Sequence, residues 1–270
     1  MENYSESMPI DSGGRKGVSN PVERLIFGRN PVLEAIGAGR VIHKIVLPRQ
    51  AQNRTKSTDV LHTIKQRALQ AGIPVEYVNT GELDELTQGQ NHQGVVALVE
   101  PFSYTEFDLL MESLGKSKVP LVILLDHWQD PQNLGSLLRS AEAAGVDGII
   151  LPKRRSVGVN ATVAKVAAGA LEYVKIVQVT NLVRTIEALK ERGLWIAGAS
   201  ANASQVYFQA DFTMPLGLVI GSEGTGLSRL VEEHCDFLTR IPMKGQISSL
   251  NAAVSAALLI FEVIRQRQFG

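Results

Sequence analysis

The sequence predicts an α/β protein in which a small α/β domain precedes a larger one, built on a parallel sheet with helices on both faces. Three observations lead there. Beyond Val119, short apolar runs recur at 121–125, 148–151, 175–179, 195–199, 217–221 and 237–241. They are unbroken rather than alternating, as strands buried on both faces are. Helical patterns intervene at 134–144, 159–168, 182–192 and 226–234, and such alternation is the signature of a parallel sheet. Lastly, three of the runs end in polar, Gly-bearing turns that open helices, which is where an α/β sheet places a ligand.

The elements follow in chain order. Residues 1–24 carry Ser, Gly and Glu without periodicity and read as a disordered tail. A short helix is expected over 30–36, a strand over 42–47, and a helix over 59–71 with Leu61, Ile64, Ala68 and Leu69 at helical spacing. Strands over 74–78 and 94–99 enclose a helical turn at 80–86, giving a first domain over 25–100 that is large enough to fold alone. Residues 101–118, with a proline, an aromatic loop and a short acidic helix over 106–114, read as a linker to a second domain over 119–270. The final helical pattern, 250–264, has only Asn251, Ser255 and Glu262 as polar residues. A helix apolar nearly all round needs cover on more than one side, either inside its own domain or from a second subunit.

Composition narrows the function classes. The chain of 270 residues has no apolar run near the ~20 that a membrane span requires, and its start lacks a signal peptide's apolar stretch. Cys235 is alone and the five histidines are scattered, which argues against a disulfide framework or a metal site and makes the cytoplasm the expected compartment. The net charge of zero conceals a segregation. From Arg24 to Gln70 nine Lys/Arg stand against two acids, and from Ala71 to Lys118 two lysines stand against eight. Such a dipole presents one face to a polyanion, and Arg29, Arg40, Lys44, Arg49, Arg54 and Lys56 are its candidate RNA contacts.

The three turns are the candidate site. In Asp126–Arg139, Asn133 reads as a helix N-cap, and Gly135 and Arg139, four apart, share a face on which an RNA backbone could approach while the guanidinium holds a phosphate. In Gly221-Ser222-Glu223-Gly224 the glycines permit positive φ and close approach to a ligand, and Glu223 suits the first turn of the following helix. In Ile241–Asn251, Pro242 and Gly245 end the strand and Ser248, Ser249 and Asn251 bring polar groups to a helix start, with Ser248 a candidate cap. His127, Trp128, His234 and Cys235 read as structural, and Lys153-Arg154-Arg155 as an exposed loop that could extend an RNA surface. The G-x-G-x-x-G fingerprint of dinucleotide-binding enzymes is missing, Arg229 standing where its third glycine would be. A nucleotide-binding metabolic enzyme is therefore disfavoured.

Taken in order, these turns resemble the motifs of the SpoU (TrmH-like) family of the SPOUT superfamily, RNA ribose 2′-O-methyltransferases with a knotted α/β fold. Phe27–Val32 and His92–Val95 resemble the opening and closing sequences of the substrate-binding domain that some members carry, an L30-like RNA-binding fold. The resemblance runs from Phe27 to the C-terminus. It implies a trefoil knot, S-adenosylmethionine as cofactor, RNA as partner, and a homodimer. At matching positions it implies a ribose contact for Asn133, an essential role for Arg139, cofactor contact at Gly221, and a site-organising role for Glu223. The main chain around Ile241 and Leu250 would hold adenosine, and Ser249 and Asn251 match the remaining polar positions. The motif arginine is either the general base or a phosphate clamp that stabilises the developing alkoxide; a guanidinium stays protonated below pH ~12. The L30-like domain points to a guanosine in the peptidyl-transferase region of 23S rRNA. A tRNA guanosine is the alternative target, and a non-catalytic RNA-binding protein the alternative function.

Overall fold

The computed structural model describes residues 24–52, 59–246 and 249–269. The tail expected over 1–24 falls outside these save for Arg24, as do Arg54, Lys56 and Ser248. The α/β class is as expected. Its first unit contains β1 (Leu25–Phe27), α1 (Arg29–Gly37), β2 (Ile42–Pro48), α2 (Val60–Gln70), β3 (Val75–Val78), α3 (Thr80–Leu86) and β4 (Val96–Val99). The sheet order is β1-β4-β2-β3, with β4 antiparallel to both neighbours and β2 parallel to β3. Three-residue β1 is too short to show a period and was not foreseen. Asp59 caps α2, its carboxylate accepting from Leu61 N at 3.1 Å.

The second unit contains α4 (Phe107–Leu114), β5 (Leu121–Asp126), α5 (Pro131–Ala143), β6 (Gly148–Pro152), α6 (Ala161–Ala167), β7 (Ile176–Val179), α7 (Leu182–Glu191), β8 (Trp195–Ala199), β9 (Gln205–Val206), β10 (Leu216–Gly221), α8 (Arg229–Glu233), β11 (Phe237–Arg240) and α9 (Ala252–Phe269). Six strands and two-residue β9 at the edge form one parallel sheet in the order β7-β6-β5-β10-β8-β11-β9. Strand β5 shows why the runs are continuous. Leu121, Ile123 and Leu125 pack in one cluster with α5, α6 and α9, while Val122 and Leu124 pack in another with α4 and α7. The stretch expected as a linker is built into this second layer. Leu110, Met111 and Leu114 are buried, Thr105 N donates to Ile176 O at 2.8 Å, and Gly148 leaves room for Leu110, whose Cδ1 would lie 2.6 Å from a Cβ there.

The units are docked on each other. Phe27, Val46, Val78, Leu83 and Val96 form a buried cluster with Ala161 of α6. Arg40 pairs with Glu172 at 2.8 Å, both side chains nearly buried, and Tyr173 OH donates to Glu34 at 2.9 Å. At the far end of α9, Arg267 donates to the carbonyls of Val119, Pro120, Phe212 and Met214, tying the helix to the starts of β5 and β10. The site lies at the opposite edge, where the carboxyl ends of β5 and β10 adjoin and the strand order reverses. There an α/β sheet opens a crevice. A trefoil knot would thread the segment after β11, of which residues 247–248 lie outside the described residues.

Candidate active site

The crevice begins at the end of β5. Asp126 is fully buried; its Oδ2 accepts from Ser228 N at 2.7 Å, and Oδ1 lies 2.6 Å from His127 Nδ1. Trp128 is buried next to it and donates from Nε1 to the carbonyls of Ile220 and Gly221, at 3.1 and 3.0 Å. These contacts fasten the turn after β5 to the turn after β10. The chain then enters α5 through Asp130, which accepts from Gln132 N at 2.8 Å, with Pro131 in the first turn. Asn133 is thus not the cap: Asp130 takes that role, and Asn133 turns inward from the first helical turn, only 7% exposed.

That inward turn joins the three motifs. Asn251 Oδ1 accepts from Ala253 N and Val254 N, at 3.0 and 3.3 Å, and so caps α9. With its oxygen held by helix N–H groups, its Nδ2 must donate, and it does so to Asn133 Oδ1 at 2.7 Å. Asn133 Nδ2 then faces Glu223 Oε2 at 3.2 Å. The polarity of a helix end thereby fixes both amide orientations, and a relay Asn251–Asn133–Glu223 links residues far apart in sequence.

The turn after β10 has its own logic. Ser222 and Gly226 exchange backbone hydrogen bonds, folding 222–226 back on itself, with Gly224 and Gly226 at φ 96° and 67°. A Cβ on Gly221 would overlap the Gly226 carbonyl group, so glycine is required there by the chain's own fold and not by positive φ. Glu223 lies in this loop and not in a helix, because α8 begins only at Arg229.

Two cavities flank the loop. One, about 590 Å³, is lined by His127, Asp130, Asn133, Glu223 and Ala252 among others. The second, about 580 Å³, includes Gly221, Ile241, Ser249, Leu250 and Leu259, together with Glu223 and Glu232. The structure therefore gathers Gly221, Ile241, Ser249 and Leu250 around one cavity, with Asn133 on the other. Glu223 borders both. Gly135 does not face RNA: it is buried where α5 crosses α6, and a Cβ would lie 2.6 Å from Val166 Cβ. Arg139 is exposed and unpaired among the described residues.

The basic block is less uniform than its charge suggests. Arg40 is withdrawn from solvent by Glu172 and by the Glu100 carbonyl, and so belongs to the domain interface rather than to an RNA face. Lys44 pairs with Glu76 at 2.7 Å on the surface, Arg29 Nε donates to Gln93 O at 3.2 Å, and Arg49 is exposed.

Comparison with known proteins fits this geometry. Residues 120–261 match the SpoU rRNA Methylase family, and residues 25–105 match the RNA 2′-O ribose methyltransferase substrate binding domain. The chain belongs to the SpoU family. Among relatives, a Bacillus subtilis protein assigned to the TrmH family of tRNA/rRNA methyltransferases, YacO, is 44% identical over 243 residues, covering 90% of this chain and 95% of its own. Among solved structures, the SpoU methyltransferase AviRb from Streptomyces viridochromogenes, in complex with the cofactor AdoMet, superposes with a TM-score of 0.74 at 25% identity over 91% of each chain. An RNA 2′-O ribose methyltransferase does so with 0.72 at 25%, covering 91% of this chain and 90% of its own. The family resemblance read from the three turns is borne out. His127 and Trp128, read from the sequence as structural, both line the first cavity, and Trp128 does act structurally through its two main-chain hydrogen bonds. The available signal for His127 was an acid–histidine pair directly after a fully buried strand.

Proposed function

We propose that this SpoU chain uses S-adenosylmethionine to methylate a ribose 2′-oxygen of RNA, its target a guanosine in the peptidyl-transferase region of 23S rRNA, and that it works as a homodimer. The observation that carries the reading is the Asn251–Asn133–Glu223 relay standing between two cavities that share one loop. Methyl transfer needs donor and acceptor held together in line, and placement of this kind accounts for much of such a rate enhancement.

The cavity that holds Gly221, Ile241 and Leu250 suits the cofactor. Leu250, Ile241 and Leu259 offer an apolar wall for a heteroaromatic ring, and the Glu223 and Glu232 carboxylates suit a cationic sulfur. When bound, S-adenosylmethionine supplies an electrophilic methyl group on that sulfur. Asn133, its amide orientation fixed by Asn251, positions the ribose in the other cavity. Glu223 holds Asn133 in place and borders both reactants. Ser249 adds a hydroxyl at the cofactor wall. Arg139, free at the surface, clamps an RNA phosphate through its planar fork. Arg29, Lys44 and Arg49 add phosphate contacts that strengthen binding without selecting sequence.

The dimer reading rests on α9, where Val254, Leu258 and Phe261 form an exposed apolar row four and three residues apart. The deciding assay presents the enzyme with unmodified 23S rRNA and unmodified tRNA in parallel, after calorimetric titration with S-adenosylmethionine and with NAD. Binding of the first cofactor alone and 2′-O-methylguanosine in 23S rRNA are expected. Incorporation into tRNA only would overturn the rRNA target, and incorporation into neither would overturn methyl transfer itself.

A further inference from the structure

We infer that His127 is a catalytic residue of this chain, accepting the proton of the ribose 2′-hydroxyl through Nε2. The inference rests on the methyl-transfer reading above. Its starting point is backbone conformation. His127 sits at φ 61°, in the left-handed region that glycine occupies freely and that costs another residue about 1 kcal/mol. Among the described residues five non-glycines have positive φ, and His127 alone of them lines either cavity. A strained histidine facing the acceptor cavity points to chemistry.

Its surroundings make it a base. The Asp126 carboxylate is immobile, because its other oxygen accepts from Ser228 N at 2.7 Å. It lies 2.6 Å from His127 Nδ1, at ion-pair distance, and its charge favours a proton on that nitrogen, leaving the lone pair to Nε2. The charge of the same carboxylate stabilises the imidazolium once formed. The side chain is 39% exposed, which leaves a route for the proton to water.

The competing groups are poorly suited. Arg139 carries a guanidinium, which offers donors and no acceptor. Of the carboxylates lining this cavity, Asp130 is engaged by Gln132 N and Glu223 by Asn133 Nδ2. The charged groups around His127 are Asp126 on β5 and, lining the same cavity, Asp130 before α5 and Glu223 after β10. Lys153, Arg154 and Arg155 lie in the adjoining loop, which bonds Trp128 O through Val157 N. In the step itself the 2′-oxygen forms the new C–O bond as the methyl carbon's bond to sulfur breaks. The electron pair of that bond stays on sulfur, and the hydroxyl proton passes to Nε2 and then to solvent.

The test uses two variants that tolerate positive φ, His127→Gly and His127→Asn. Both should fold and bind S-adenosylmethionine as the parent does, yet methylate RNA about a hundredfold or more slowly in single turnover. The parent's rate should rise with pH as a base-assisted step does, and the variants should lose that dependence. Added imidazole should restore rate to His127→Gly. Independently of turnover, the His127 ring resonances of the parent should shift when unmodified RNA and S-adenosylhomocysteine are added together. No methylation by the parent would overturn the parent reading and this one with it. An active parent matched by His127→Gly in rate and pH profile would overturn this one alone. Parent-like turnover by His127→Asn would do so too, since an amide positions but takes no proton.

Discussion

Asn133 shows what a single residue contributes when three turns converge on it. Its oxygen takes a hydrogen bond from Asn251 and its nitrogen gives one to Glu223, so replacing the amide by a carboxylate keeps the first bond and sets two acids against each other. Asn133→Asp should leave S-adenosylmethionine affinity within a few-fold and lower methyl transfer about a hundredfold, read by calorimetry and single-turnover assay. Gly221→Val carries a different message from the one its sequence position suggests. A side chain there collides with Gly226 of the same loop, so cofactor affinity should fall because the loop moves, and Glu223 should lose its place with it. Unchanged binding would remove this loop from the cofactor site. The Cys235 thiol is pushed up to about 12 by burial. It should therefore react with iodoacetamide at pH 8 far more slowly than a free thiol of ~8.5. At this scale the sequence made residue types and turns legible: Asn133, Glu223 and Asn251 stood out as polar groups in the segments that follow buried strands. The direction each side chain takes was hidden, because Asn133 was assigned to a cap that Asp130 occupies and His127 was set aside.

Elements were legible wherever their period was long enough. All six long strands of the second sheet lie where apolar runs placed them, since burial on both faces leaves an unbroken signature, whereas β1 and β9 are too short for any. Helix α5 shows the limit. Its glycine could be read from sequence as an approach for RNA, yet the space is filled by Val163 and Val166 of α6. Gly135→Val should overpack that crossing and cost about 1–3 kcal/mol of stability, measured by denaturant titration. Helix α9 was expected to need cover on more than one side. The structure covers one side and leaves Val254, Leu258 and Phe261 exposed. If the proposed dimer forms through this row, Leu258→Glu should give a monomer by sedimentation with its fold retained; an unchanged sedimentation coefficient would remove α9 from the proposed interface.

In the whole molecule the two units are joined by more than a tether. Arg40 and Glu172 form a nearly buried pair across the interface, so Arg40→Ala would strand a carboxylate and cost about 3–5 kcal/mol. The expected outcome is loosened docking, seen as earlier proteolytic cleavage around residues 101–106, with cofactor affinity unchanged. Charge segregation along the sequence had marked Arg40 for RNA, because a sequence shows a residue's charge and not the partner it folds against. No described helix is long and apolar enough to cross a membrane. Helix α9 carries a further consequence, through the order in which a chain is made. It follows every other described element, yet its cap Asn251 orients Asn133 at one edge of the sheet and Arg267 anchors the strand starts at the other. A ribosome releases this helix after both sheets. The nascent protein thus lacks the stretch of cavity wall that Ala252 and Leu259 supply as well as the polar relay, and the proposed site is complete only when α9 has cleared the exit tunnel and seated.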